Sequence, residues 1–437
     1  MKSLLLVFSL FLLVYQLRSQ DKWTLLDAAL TQAADSSVFH GQVLIAEKGD
    51  VKLNKSYGLT TKGSPYTDDS LIEIESVSKG FTALAILKLC EQQALELDTK
   101  LQELFPDWPY PDVTIHHLLN HSSGLPHFLG LVFDHWPEDK YLTNEGFIDL
   151  IVQHPPKVKA QPGDEEAYNS FAYLLLASVI EKVSGMSYEQ FIRSSILEPA
   201  GMSHTFFRSE LSSFNKESGP AGADDVFKLV KGEGNMLSTA SDLFKLDRAL
   251  SAGKIIGQPW LDKMHQISRL GNGKQGRYGY GGSVINNSPA DLTFQYFGQG
   301  ATSVVFTRYL KREEVCIVLH ARSVEYAYPI HEMIQSIWRE QPYTVPQKRA
   351  VHRIDESLLK QYIGDYGENG FMHVRLERGV LFIQPDGNPG KMELVPTSDT
   401  TFVFRDQPVY WQFYLDKASN VTGFGPQGEP ASMMKRQ

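Results

Sequence analysis

The chain has 437 residues, 42% of them hydrophobic and 21% charged, with a formal charge of −9 at neutral pH. That length exceeds what a single core usually supports, so more than one domain is expected. An acidic balance without any stripe of clustered Lys and Arg argues against nucleic acid as a partner, because phosphate binding needs such clusters.

Met1-Lys2 precedes an apolar run, Leu4 to Tyr15, too short to span a bilayer as a helix. We read residues 1–19 as a cleaved secretory signal, with an uncleaved anchor as the alternative. The mature chain is then expected in the periplasm or outside the cell, without stable membrane insertion. The two cysteines, Cys90 and Cys316, fall in a helix-like and a strand-like apolar run. Buried, unpaired thiols are expected there, a disulfide being the alternative in an exported chain.

Gln42 to Glu47, a turn at Lys48-Gly49-Asp50 and Val51 to Tyr57 read as a β-hairpin. It leads to Ser76-Val77-Ser78-Lys79, followed by Phe81 to Cys90, which is apolar almost all round and so suits a buried helix. Residues three apart share a helix face, which puts the Lys79 amine within reach of the Ser76 hydroxyl. The unpaired N–H groups at a helix start disfavour an ammonium and favour an oxyanion. An uncharged Lys79 activating Ser76 as a nucleophile is therefore expected. The spacing alone is not specific, since a serine precedes a lysine by three at five other places. Only Ser76 opens a helix too apolar to be exposed. On spacing and burial alone, a capping serine beside a surface lysine stays open as the alternative.

Thr114 to Pro126 reads as a short helix stopped by Gly124-Leu125-Pro126. His117 and His121 are spaced four apart, but no glutamate stands between them and no third ligand is in view, so no metal is expected. A buried helix follows Pro162-Gly163 over Phe171 to Val183, with Tyr168 in the loop before it. Judged alone, such a tyrosine is more often a packed aromatic than a base. Gly232 to Ala252 gives an amphipathic helix capped near Ser238 to Asp242. Gly271 to Gly276 fits G-x-G-x-x-G, but it neither follows a strand nor opens a helix, so it reads as a connection. Thr293 to Phe297, Ser303 to Arg308 and Val315 to His320 should be antiparallel strands. Residues 343–350 read as a linker, and the short runs over 351–437 as a small β-barrel or sandwich.

Taken together these segments resemble the serine β-lactamase and penicillin-binding-protein superfamily, in particular its class C-like branch. Ser76 to Thr82 looks like the first motif and Thr114 to Pro126 like "TIRHLLTHTSGLP". Pro162 to Gly185 looks like "PG…YSN…YxLLGxIIExVSG", Gly234 to Leu243 like "GGLxSTAxDL" and Tyr278 to Gly281 like "YGLG". The resemblance implies an α/β (α+β) hydrolase domain over 20–342, with an antiparallel sheet flanked by helices and a helical insertion. The tail resembles the lipocalin-like barrel appended to many such hydrolases.

Carried over position by position, Ser76 would be the acylated nucleophile and Lys79 and Tyr168 a coupled proton-transfer pair. The Ser76 and Ala301 N–H groups would form the oxyanion hole, and Ser170, Gln299 and Gly300 would meet the substrate. The chain departs from the pattern twice. Tyr168-Asn169-Ser170 stands where Tyr-x-Asn is usual, and Gly298-Gln299-Gly300 carries no cation where Lys or His is usual two residues before the glycine. The lost cation should raise the Tyr168 pKa and remove an anchor for a substrate carboxylate; Arg277 and His320 are the alternative sources of charge. The expected activity is serine hydrolysis of an ester or amide (a β-lactam, a D-amino-acid peptide or a small ester) through an acyl-enzyme. A non-catalytic or slowly deacylating binding protein is the other reading. No cofactor is implied.

Overall fold

A computed structural model of the chain describes residues 21–211, 223–288, 291–300, 302–310, 315–348, 352–367, 372–385, 391–404 and 410–437. The expected signal segment lies outside these residues. Helix α1 (Lys22–Asp35) leads into strands β1 (Gly41–Glu47) and β2 (Asp50–Tyr57). Lys48 and Gly49 join them with φ of 50° and 85°, the left-handed pair that a two-residue hairpin turn needs. Later strands complete one sheet: β3 (Ser283–Ser288), β4 (Asp291–Gln299), β5 (Ser303–Tyr309) and β6 (Val315–Ala321). The order is β2-β1-β6-β5-β4-β3, every neighbour antiparallel, with Gly41 opposite Ala321 and Glu47 opposite Val315.

Alternation along the strands gives the sheet two apolar faces. Val43, Ile45, Ile317 and Leu319 pack on α1 and on α6 (Val324–Trp338). Leu44, Val304, Phe306 and Val318 pack on the larger helical layer. At the centre of that layer lies α2 (Ser78–Glu91), buried from Ser78 to Leu87. Around it stand α3 (Ile115–Leu119), α4 (Phe171–Ser184) and α5 (Ala240–Ser251). The segment expected to be an all-round apolar helix is therefore the hub of the domain.

An ion pair between β5 and α5 sits in that core. Arg308 on β5 donates through Nε to Asp247 Oδ1 on α5 at 2.7 Å, and the two side chains are 2% and 6% exposed. Arg308 also reaches His265 Nε2 at 3.3 Å; a guanidinium has no acceptor, so this imidazole nitrogen accepts. Cys90 and Cys316 are both buried and free.

The tail forms an eight-stranded antiparallel meander, starting at β7 (Gly364–Tyr366) and ending at Met434–Lys435. Its ends meet: Gly367 N donates to Lys435 O and Gln437 N to Asp365 O, both at 2.9 Å. The barrel is thus nearly closed. Its interior is filled by side chains. The Phe413 ring lies 4.1 Å from Tyr362 and 4.4 Å from Phe424, between centroids, and Tyr366, Phe402 and Leu394 fill the rest. The likeness to a lipocalin-like barrel therefore extends to the strand arrangement, while the space such a barrel would give a ligand is occupied by aromatic rings.

Candidate active site

The site begins with a strained turn. Glu75 adopts φ 47°, a left-handed conformation disfavoured for a residue with a side chain, and a 3₁₀ turn over Glu75–Val77 then feeds α2. Ser76 is held in that turn beside the start of the helix. Lys79 Nζ lies 2.9 Å from Ser76 Oγ, and the Tyr168 hydroxyl donates to Ser76 Oγ at 3.0 Å. The three side chains expected to act together do meet. They face one cleft of about 490 Å³, also lined by His121, Ser170, Arg277, Tyr278, Gln295, Phe297, Gln299 and Tyr328.

Lys79 does not have the environment expected of it. It is 2% exposed, and its amine also donates to the carbonyl oxygen of Glu233 at 2.9 Å and to Glu233 Oε2 at 3.1 Å. Burial pushes its pKa down, but Tyr168 and the Glu233 carboxylate outweigh burial and hold it above the usual lysine value. Lys79 is therefore an ammonium, and the expected neutral amine is corrected: an acidic partner across the cleft overrides the helix start. Tyr168 moves the opposite way. Burial raises its pKa, yet the nearby Lys79 charge and the hydrogen bonds with Ser76, Lys79 and Ser170 lower it below that of an ordinary phenol. The missing third-motif cation does not leave Tyr168 with a raised pKa, because Lys79 supplies the charge.

His121 closes the cleft behind Tyr168. Its ring lies 4.6 Å from Tyr168 and 4.8 Å from Tyr278, and its Nδ1 accepts from Asn169 N at 3.2 Å. Burial, followed by the Lys79 charge, pushes its pKa down to about 3, so it is neutral. His117 instead sits in the capping turn of α3, where its Nδ1 accepts from Thr114 N at 3.3 Å. Among the described residues no group of three or more His, Cys, Asp or Glu is arranged to hold a metal.

Asn169 serves the fold. Its Nδ2 donates to Pro126 O at 3.0 Å, and its Oδ1 accepts from Phe171 N at 3.1 Å at the start of α4. Ser170 lines the cleft and hydrogen-bonds Tyr168. The Gly271 to Gly276 loop is a connection, as read: Gly271 N donates to Gly163 O at 2.8 Å, and Leu270 N to Lys274 O at 3.0 Å. Beyond it Glu166 accepts from the backbone N–H of Arg277 and Tyr278, fixing Tyr278 against the cleft.

The third-motif strand explains its own lack of a cation. A Cβ on Gly298 would lie 2.3 Å from Ile74 O, and one on Gly300 would lie 2.3 Å from Glu75 Oε1. The end of β4 passes so close to the backbone of the Ser76 turn that no side chain fits at Gly298, while at Gly300 a side chain would have to displace the end of Glu75. Gln299, between them, lines the cleft, whereas Gly300 abuts the Glu75 carboxyl. Ala301 lies outside the described residues. Of the other proposed sources of charge, Arg277 lines the cleft, while His320 is 1% exposed and burial lowers its pKa to about 3.

Glu75 carries a test of its own. Burial first, then the Glu73 and Glu233 carboxylates, push its pKa up to about 7 from the 4.5 of a free glutamate. The native state thus binds this proton more tightly than the unfolded chain. Its effect on stability is absent below about pH 4.5, grows unfavourable as the pH rises to about 7, and stays constant above. Glu75→Gln is expected to raise stability at pH 8 by on the order of 2 kcal/mol, allowing for solvent screening at a partly exposed carboxyl, and to change little at pH 4. Thermal melts at the two pH values check this; an equal gain at both would exclude the carboxylate as its origin.

The Beta-lactamase family model matches residues 26–328. Penicillin-binding protein 4* of Bacillus subtilis is 31% identical over 434 residues, covering 91% of this chain and 94% of that protein. Among solved structures, the octameric penicillin-binding protein homologue from Pyrococcus abyssi covers 90% of this chain and 96% of that one, with a TM-score of 0.61 and 24% identity. D-amino acid amidase from Ochrobactrum anthropi SV3 covers 72% of this chain and 99% of its own, with a TM-score of 0.59 and 23% identity. These two likenesses show the fold.

Proposed function

Because the chain belongs to the Beta-lactamase family and is a serine hydrolase of that type, we propose that it cleaves an ester or amide through an acyl-enzyme on Ser76. The observation that carries the proposal is the convergence of Lys79 and Tyr168 on Ser76 Oγ, at 2.9 and 3.0 Å, in one cleft. In its ionised form Tyr168 takes the Ser76 proton as Oγ bonds to the substrate carbonyl carbon. It returns that proton to the leaving oxygen or nitrogen as the second bond breaks. Water then releases the acyl group by the same proton relay in reverse. Backbone N–H groups at Ser76 and Ala301 are the proposed oxyanion donors.

The substrates favoured are D-amino-acid amides or peptides and small neutral esters. The structural kinship with a D-amino acid amidase and the cation-free end of β4 both support this reading. Arg277 is the cleft-lining cation outside the Lys79–Glu233 pair; it is 80% exposed and 3.7 Å from Glu166. A slowly deacylating penicillin-binding protein is the second reading, favoured by Ser170 turning to Tyr168 and by the likeness to penicillin-binding protein 4*. We also propose export, on the apolar run Leu4 to Tyr15; the N-terminal residue of the mature chain checks it.

The deciding experiment exposes the protein and Ser76→Ala to a fluorescent fluorophosphonate and a fluorescent penicillin. Labelling by the first alone, lost in the variant, supports the esterase or amidase reading. Lasting labelling by penicillin supports the stalled acyl-enzyme. Labelling by neither sinks both. If penicillin labels, Arg277→Ala is expected to slow it by on the order of fivefold, as for an exposed cation facing a carboxylate, while leaving the fluorophosphonate rate nearly unchanged.

A further inference from the structure

Lys79 has an acceptor for each N–H of an ammonium. An ammonium offers three N–H donors and no acceptor. Three acceptors surround Nζ: Ser76 Oγ at 2.9 Å, Glu233 O at 2.9 Å and Glu233 Oε2 at 3.1 Å. Two of the three come from one residue, Glu233, which lies between Gly232 and Gly234 ahead of the strand Met236–Ser238. Its carboxylate is 25% exposed, so it enters the buried pair from the solvent side.

We propose that Glu233 is a positioning residue: its carboxylate fixes Lys79 as a three-donor ammonium beside Ser76, so that Tyr168 alone exchanges protons during acylation. The proposal rests on the acyl-enzyme reading above. The proton balance closes. Tyr168 loses its proton to solvent, and its phenolate takes the Ser76 proton as the Oγ–carbon bond forms. It then delivers that proton to the leaving group as the carbon–oxygen or carbon–nitrogen bond breaks. Lys79 keeps three protons throughout, donating to Ser76 Oγ and holding the phenolate by charge and hydrogen bonding. Without the carboxylate, the same pair could hold its shared proton differently, as a neutral amine beside a neutral phenol.

The groups facing the pair are few. The Tyr168 and Tyr173 rings lie 5.3 and 5.9 Å from Nζ, and Tyr278 and the neutral His121 also face it. Glu75 and His127 face the Glu233 carboxylate. Neither histidine adds a positive charge beside the carboxylate, since burial lowers the pKa of both.

The test is the pH dependence of Ser76 phosphonylation by a fluorophosphonate, fluoride leaving, in the full chain and in Glu233→Gln, which keeps the shape and loses the charge. Removing an anion lowers the proton affinity of every neighbour, and an opposite charge at this distance shifts a pKa by about 1–3 units. The alkaline limb, where Lys79 loses its proton, is therefore expected to move toward acid by at least about one pH unit. The acid limb should move the same way by less. Glu233→Asp, which withdraws the carboxylate by one methylene, should shift the profile less in the same direction, and it serves as the test if Glu233→Gln does not fold. A uniform loss of rate with an unmoved profile, or a profile superimposable on that of the native chain, overturns the proposal. Failure of the acyl-enzyme reading itself appears separately, as a native chain that the probe does not label.

Discussion

Tyr168→Phe is expected to slow acylation of Ser76 by about 10²–10⁴-fold while leaving the melting temperature nearly unchanged. The substitution removes one oxygen and keeps the ring, which is 44% exposed and packs on His121 at 4.6 Å and Tyr278 at 5.8 Å. Lys79 keeps its ion pair with Glu233 at 3.1 Å, and burial leaves His121 a weak base with a pKa of about 3, so neither is as ready as the phenolate to accept the Ser76 proton. The native rate should rise with pH along a limb set by the Tyr168 phenol, which the Lys79 charge places below the usual tyrosine range. In Tyr168→Phe that limb should vanish with the rate. Time courses of probe labelling between pH 5 and 10 measure both. A variant retaining more than a tenth of the native rate on the same limb would show that Lys79 takes the proton after all.

Asp247→Ala should be the most destabilising single change among those considered, by about 3–5 kcal/mol. It strands the Arg308 guanidinium in the core, with His265 Nε2 at 3.3 Å and Ser251 Oγ at 3.4 Å as its remaining side-chain partners. Arg248 also donates to Asp247, at 2.8 Å, but its side chain is 40% exposed and can turn to water. The cost therefore comes from Arg308. Replacing both members of the core pair, Asp247→Leu with Arg308→Met, should recover most of the loss, since apolar side chains of similar volume need no partner. Denaturant titration of the single and double variants checks the pair; additive losses would mean that the two residues act independently.

How much of this was readable beforehand depends on the range of the contact. The hairpin, the buried helix after Ser76 and the strand runs follow from local patterns, and they stand where expected. Tyr168 was visible only through resemblance, since a loop tyrosine has no periodic signature. Glu233 was missed. It is 154 positions from Lys79, in a glycine-flanked loop that carries no spacing rule. Tyr168 and Glu233 together hold Lys79 as an ammonium, whereas burial and the helix start, the only signals in the sequence, both point to a neutral amine. The absent third-motif cation was legible, but its reason was not: the approach of Ile74 O and the Glu75 carboxyl to Gly298 and Gly300 exists only once the turn and the strand are side by side. Strand spacing announced a small barrel or sandwich in the tail, yet not that aromatic rings fill it.

The two cysteines have a practical consequence for reading any adduct. Burial pushes the Cys90 thiol up to about 11 and the Cys316 thiol well above its ordinary value, so neither is a thiolate at neutral pH. Electrophiles that attack sulfur and oxygen alike should therefore report on oxygen in the folded chain. The intact-mass increment should survive prior treatment with an alkylating agent and remain the same in the presence of a reductant.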